Sequence, residues 1–371
     1  MAHDDPALQA LMLPFEQGLL PWPEAGGVLF LRARDGAPLH RGAWPGLVCE
    51  QGFKPEADAL RQAGLVVVDS PDAGSAGSRH PLVLVLPPRQ RDEARALYAH
   101  AVSRVAPGGR VVACLANNEG AKSGEADLRR LVGPLGGLLK HKSRCYWSAP
   151  LHVADSAAVI DHALLAEWEA LDAPRAIVGG RFRSRPGVFA WDRIDPASAL
   201  LVEQLPADLA GRAADLGAGF GYLSAELLER CPGIAALDLF EADRRALDLA
   251  RHNLAAFESK VAIGYHWHDV TTGLPAQYDV IVTNPPFHTQ GSANRPDIGR
   301  RFIAVAADAL KPGGRLWLVA NRHLPYESVL VESFGQARAV AERDGFKIIE
   351  AVKARPVQAP RPPRRGREDW R

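Results

Sequence analysis

Cysteine, net charge and long apolar runs are all scarce in this chain. Its four cysteines, Cys49, Cys114, Cys145 and Cys231, form no CxxC pair and no spacing that would build a zinc site, so reduced, buried thiols are expected. Lysine plus arginine number 44 against 43 acids, and the formal charge of 44 − 43 = +1 predicts no global attraction to a polyanion. Any such contact must come from local basic patches. No apolar run approaches the ~18–20 residues that cross a bilayer. The start "MAHDDPALQALMLPFE" carries acids where a secretory signal needs bases. A cytoplasmic protein without membrane or metal partners is expected.

What the chain does contain is a repeat. At 371 residues it exceeds one typical domain. From about residue 211, short β-rich runs ("RAADLG", "AALDLFE", "KVAIGYHWHD", "YDVIVTN", "GRLWLVAN") alternate with helical patterns, the signature of a doubly wound parallel sheet. In "ADRRALDLARHNLAAF", Leu247, Ala250 and Leu254 share one helix face, with the arginines and Asp248 on the other. "QARAVAERDG" and "FKIIEAVK" predict a closing strand pair turning at Asp344-Gly345. Earlier, "LVLVLPPRQ" mirrors "VIVTNPPFH", and "VSRVAPGGRVVACLAN" mirrors "AADALKPGGRLWLVAN". The offset grows from 285 − 87 = 198 to 312 − 107 = 205, so the second copy carries 205 − 198 = 7 extra residues after its double proline. The expected division is a first copy over 1–172, a linker over 173–187, a second copy over 188–354 and a basic tail over 355–371.

The copies differ in their polar groups. "DLGAGFGYLS" in the second copy faces "LRARDGAPLH" in the first, and Asn284 faces Leu86. Chemistry is therefore expected in the second copy. There Asp215 leads a turn containing Gly217, Gly219 and Gly221, where glycine permits close approach of a ligand and the following helix offers free N–H groups. With Tyr222 where a dinucleotide fold would want its last glycine, the pattern suits a ligand with a cationic amino-acid end, S-adenosylmethionine. Glu241 ends the second strand, placed to accept both ribose hydroxyls, and Asp269 ends the third, placed to accept from the adenine amine. The expected fold class is α/β, with two tandem class I methyltransferase-like (Rossmann-like) domains, the first degenerate.

The tetrad Asn284-Pro285-Pro286-Phe287 follows the fourth strand. An exocyclic amine on a base or amide is a poor nucleophile because its lone pair is delocalised. Two acceptors, the Asn284 amide oxygen and the Pro285 carbonyl, would hold its N–H bonds and aim the lone pair. Pro286 would fix the Pro285 carbonyl, and Phe287 would offer a stacking face. A base amine and a glutamine side-chain amide both fit this chemistry. Histidines His266, His268, His288 and His323 form no metal set and are expected at the surface or against RNA. Segments 140–147 ("KHKSRCYW") and 181–187 ("RFRSRPG") and the tail are candidate phosphate contacts, with aromatics interleaved in the first two.

The stretches "RPGVFAWDRIDPASALLVEQLP", "ADLGAGFGYLS", "NPPFH" and "GGRLWLVANRHLPYESVLVESFG" resemble the bacterial two-domain ribosomal RNA guanine-N2 methyltransferases. The resemblance runs from about residue 185 to 353 and extends weakly over the first half. It implies a first domain that lost its cofactor site and helps to bind RNA. It also implies S-adenosylmethionine on the glycine loop and Glu241, and a flipped-out guanine on the tetrad 284–287. The substrate expected is ribosomal RNA or a ribosomal subunit, small-subunit RNA ahead of large, with no DNA partner. Two alternatives stay open. One is a protein-glutamine methyltransferase, whose relatives carry a small helical domain in front. The other is an RNA-binding assembly factor that keeps only the scaffold.

Overall fold

The computed structural model describes residues 5–69, 78–286 and 296–355. The first half builds a seven-stranded sheet from β1 (Val28–Leu31), β2 (Leu47–Glu50), β3 (Val66–Val68), β4 (His80–Val85), β5 (Val105–Ala116), β6 (Leu135–Lys140) and β7 (Ser143–Ser148). After the pair β8 (Arg175–Ile177) and β9 (Phe182–Ser184), a second seven-stranded sheet contains β10 (Ala210–Leu216), β11 (Gly233–Glu241), β12 (Ala262–Trp267), β13 (Tyr278–Thr283), β14 (Leu310–Asn321), β15 (Gln336–Arg343) and β16 (Phe346–Val352). The spatial orders are β3-β2-β1-β4-β5-β7-β6 and β12-β11-β10-β13-β14-β16-β15, the same topology twice. The chain therefore has two tandem methyltransferase-like domains. A seven-stranded first domain differs from the small helical domain of the glutamine-directed alternative.

Each sheet is apolar on both faces. In β1 and β4, Leu29, Leu31, Val83 and Val85 enter one core while Val28, Phe30, Leu82 and Leu84 enter the other. In the second sheet Ala213, Val280 and Val282 oppose Ala214, Leu216 and Ile281. Runs without polar alternation are what strands covered by helices on both sides require. The last two strands of each sheet are joined by tight turns. His141 and Lys142 have φ of 52° and 53°, and Asp344 and Gly345 have 53° and 82°. Positive φ at both central residues matches the right-handed strand twist.

Two sequence expectations change here. Residues 173–187, expected as a linker, hold the β8–β9 pair, whose Ile177 and Phe182 pack into the second domain's core. In the helix Arg244–Leu254, Leu247, Ala250 and Leu254 are buried as expected, but Arg245 pairs with Glu93 of the first domain at 2.7 Å. The four cysteines are buried and free. Among the described residues, no helix is long and apolar enough to cross a membrane, and no group of three His, Cys, Asp or Glu side chains could hold a metal.

Candidate active site

The strand order of the second sheet reverses between β10 and β13, and an open α/β sheet binds ligands in the crevice at such a point. Beyond Leu216 the chain turns through Gly217, Gly219 and Gly221 with φ of 73°, 56° and 90°, a region that favours glycine. The N–H groups of Gly217 and Ala218 both donate to the Phe240 carbonyl, at 2.8 and 3.2 Å, which ties the turn to β11. A Cβ added at Gly219 would meet nothing within 4 Å, so the space over the turn is open. The helix Tyr222–Arg230 then begins without a side-chain cap at Gly221, so its first turn can offer N–H groups to a ligand, although the Ser224 N–H already faces Asp215.

Two carboxylates flank this turn. Asp215 is fully buried; its Oδ2 accepts from the Ser224 hydroxyl at 2.7 Å, and its Oδ1 has no partner among the described residues. Burial pushes its pKa from the ordinary 3.8 to about 7; the Ser224 bond opposes the shift and the Glu241 charge adds to it. Glu241 accepts from Asp243 N through Oε1 at 2.8 Å and from Gly219 N through Oε2 at 2.7 Å. Burial raises it to about 7 as well, against those backbone bonds. Asp269 follows at the neighbouring strand end, but its Oδ1 already accepts from the Thr271 N–H at 2.9 Å and hydroxyl at 2.7 Å.

These raised values set a direction for stability. Without ligand, each acid in the fold keeps a proton up to about pH 7 that the unfolded chain releases near its ordinary value. The stabilising contribution is complete below the unfolded pKa and is lost as pH rises through about 7. Asp215→Asn removes the charge at nearly constant shape. It should raise the melting temperature of the ligand-free protein more at about pH 8 than at about pH 5. Calorimetric scans at both pH values check this, and equal shifts would contradict it.

Across the crevice stands Asn284, directly after β13. Thr283 donates its hydroxyl to the Leu216 carbonyl at 2.7 Å, fastening the end of β13 to β10. The Asn284 Nδ2 donates to Asp195 Oδ2 and to Ser198 Oγ, each at 2.9 Å. A carboxylate accepts only, so the nitrogen end of the amide must face Asp195. The oxygen end is left for an incoming donor. Asp195 is also the N-cap of the helix Pro196–Gln204, its Oδ2 accepting from Ser198 N at 2.8 Å. One capped helix end thus fixes the amide that would hold the reacting amine.

Asp195 and Ser198 carry no assigned role in the sequence, where they stand only within the stretch 185–206 that bears the family resemblance. The amide-to-cap contact spans 284 − 195 = 89 residues and has no local signature. Comparison of the two domains shows what the first one lost. Strand register places Phe30 where the second has Asp215, Arg32 (φ 52°) at Gly217, and Leu86 at Asn284. Gln51 stands at Glu241; each side chain accepts at 2.8 Å from the N–H two residues on.

Other expected contacts are used internally. His266 stacks on Phe240 and bonds Asp238 at 3.0 Å, and His268 donates to the Gly273 carbonyl at 2.7 Å, so both half-exposed rings already have partners within the fold. Arg181 pairs with Glu226 and Glu229, and Arg185 pairs with Asp172, while Arg183 stays exposed. In the 140–147 patch Tyr146 is buried against Tyr98 and Arg144 pairs with Glu125, while Lys140, His141 and Lys142 stay exposed. Phe287, His288, most of the seven-residue insertion and the tail over 356–371 lie outside the described residues.

A family model, the methyltransferase small domain, matches residues 179–350. The ribosomal RNA small subunit methyltransferase C of Pseudomonas aeruginosa (strain LESB58) is 40% identical over 173 residues, covering 46% of this chain and 50% of that protein. The chain thus spans about half the length of that relative. The protein of the same name from Vibrio cholerae serotype O1 (strain ATCC 39315 / El Tor Inaba N16961) is 31% identical over 280 residues, 73% of this chain and 77% of its own. The solved structure of the Thermus thermophilus ("T. Thermophilus") 16S rRNA N2 G1207 methyltransferase in complex with AdoMet and guanosine aligns with a TM-score of 0.73 at 25% identity, over 95% of this chain and 93% of that one. Its two-domain match and the repeated topology agree with the sequence relatives: the chain belongs to the ribosomal RNA small subunit methyltransferase C family.

Proposed function

We propose that this chain transfers one methyl group from S-adenosylmethionine to the exocyclic N2 amine of a guanine in small-subunit ribosomal RNA. The observation that carries the reading is the Asn284 amide, its nitrogen tied to Asp195 and Ser198 and its oxygen without a partner among the described residues. The residues around the glycine turn suit the cofactor. Asp215 has a buried, unpartnered oxygen, Gly219 faces open space, and the following helix end is uncapped. Bound there, S-adenosylmethionine supplies an electrophilic methyl group. Glu241 would accept the ribose hydroxyls, Asp215 with Gly217, Gly219 and Gly221 would hold the amino-acid end, and Asp269 would accept from the adenine amine through its remaining oxygen.

On the substrate side, Asn284 Oδ1 and the Pro285 carbonyl each accept one N–H of the guanine amine, so that its lone pair points at the methyl carbon. Pro286 restrains Pro285, and Phe287 offers the base a stacking face. A negative Asp195 pulling on Asn284 Nδ2 makes Oδ1 a better acceptor. Methyl transfer would break the methyl–sulfur bond as the N–C bond forms, leaving the sulfur neutral and the amine positive, a charge that both acceptors stabilise without reorganising. The amine would then return to neutrality by giving one proton to water.

Lys140, His141 and Lys142, carried into solvent by the β6–β7 turn, form the phosphate contact of the first domain. Lys140→Glu together with Lys142→Glu should weaken RNA binding and flatten the dependence of log affinity on log salt by about one per lysine. A filter-binding salt series checks this. The activity test incubates the protein and methyl-labelled S-adenosylmethionine with small subunits, large subunits and naked RNA. Label in small-subunit RNA is expected; label confined to large-subunit RNA or to protein glutamine would overturn the proposal.

A further inference from the structure

The two domains meet through equivalent loops. Lys54 N donates to the Ala242 carbonyl at 2.8 Å, Arg244 N donates to the Gly52 carbonyl at 2.9 Å, and Phe53 and Asp243 form an antiparallel bridge. Since Gln51 is the counterpart of Glu241, Gly52 corresponds to Ala242 and Lys54 to Arg244. Each loop therefore gives the other the same two groups, as in a two-fold interface. Trp267 closes the clasp, its Nε1 donating to Gly52 O at 3.0 Å and Ala242 O at 2.8 Å.

Beside the clasp lies a cavity of about 730 Å³, lined by Arg32, Glu50, Leu86 and Glu93 of the first domain and by Asp243 and Arg245 of the second. It sits at the strand ends where the first domain's own cofactor crevice would lie. Glu93 Oε1 receives both Arg245, at 2.7 Å, and Arg32, at 3.0 Å. Arg245 also reaches Asp243, at 3.3 Å. A Cβ on Gly187 would collide with the Glu93 carboxylate, so the chain entering the second domain leaves room for this pair. The vacated crevice has become a socket for the start of the helix Arg244–Leu254.

That helix start follows directly on Glu241, and Asp243 N is one of the two donors that hold the Glu241 carboxylate. We propose that Glu93, acting through Arg245 and the clasp between residues 52–54 and 242–244, is a positioning residue for Glu241, so that the catalytically blank domain sets cofactor affinity in the other. The inference rests on the cofactor reading above. Without the Glu93 charge, two guanidinium groups share one neutral side chain and repel, which shifts the segment that orients Glu241.

The test uses the full chain and two variants on the first-domain side. Glu93→Gln removes the charge. Lys54→Pro removes the N–H given to Ala242, together with the Lys54 ammonium over the Trp267 ring and its pair with Asp58, at the first position of the helix Lys54–Gln62, where proline is tolerated. The dissociation constant for S-adenosylhomocysteine, measured by titration calorimetry, should rise about five- to tenfold in each variant. The turnover number at saturating S-adenosylmethionine should stay near wild type, a KM-against-kcat split that loss of folded protein would not produce. Unchanged affinity in either variant, or lost turnover at unchanged affinity, would overturn the clasp's role. Failure of the wild type itself to bind S-adenosylhomocysteine would overturn the cofactor reading instead.

Discussion

Replacing Asn284 by alanine should lower the turnover number by roughly a hundred- to a thousandfold, the usual loss when one preorganised group facing transition-state charge is removed. The cofactor dissociation constant should stay within about threefold, because the side chain hydrogen-bonds Asp195 and Ser198 and, among the described residues, none of the glycine turn. Two terms produce the loss. The guanine amine keeps only the Pro285 carbonyl, so its lone pair is no longer aimed, and the charge developing on nitrogen loses a fixed dipole. Asp195 retains its cap bond to Ser198, so the fold should persist. Single-turnover kinetics with small subunits, set beside calorimetric cofactor binding, separate the two quantities. A variant with full turnover would remove Asn284 from the chemistry, and one with lost cofactor binding would give it a structural role.

The second large effect is expected at Glu241. At about pH 8, where the carboxylate is charged, Glu241→Gln should raise the cofactor dissociation constant by roughly ten- to a hundredfold, since charged acceptors of two hydroxyls are replaced by one neutral acceptor and one misdirected donor. The chain already contains this substitution. In the first domain Gln51 accepts from Phe53 N at 2.8 Å, as Glu241 accepts from Asp243 N, while its amide nitrogen donates to the Ala33 carbonyl at 2.6 Å. The variant loop should therefore fold, and it should turn its donor inward as Gln51 does. Turnover at saturating cofactor should remain close to wild type. Equal affinity of the two proteins for S-adenosylhomocysteine would show that Glu241 does not meet the ribose.

Local signals carried most of the architecture. The double proline, the glycine-rich turns and the strand-length apolar runs each act over a few residues, and together they marked both copies and the seven-residue excess in the second. The closing pair was legible because Asp344-Gly345 suits positive φ at both positions. Glu241 and Asn284 were legible as strand-end residues. Their surroundings were not, because those depend on pairings distant in sequence. Asp195 carries no sequence signal for its contact with Asn284, which β13 brings to it only in the fold. Arg245 reads as a solvated helix residue until Glu93, 245 − 93 = 152 positions earlier, faces it. Arg181 and Arg185 read as a basic patch, although each already has a carboxylate partner. Formal charge along the chain cannot distinguish a paired cation from one open to phosphate.

The measurement closest to the central claim is the identity of the methylated nucleoside. Small subunits are incubated with the protein and methyl-labelled S-adenosylmethionine, their RNA is digested to nucleosides, and the labelled product is identified by chromatography and mass spectrometry. An amine held by Asn284 and Pro285 predicts N2-methylguanosine as the labelled species, absent when Asn284→Ala replaces the wild type. Label on a ring nitrogen, on the N6 amine of adenine or on a ribose hydroxyl would contradict the account.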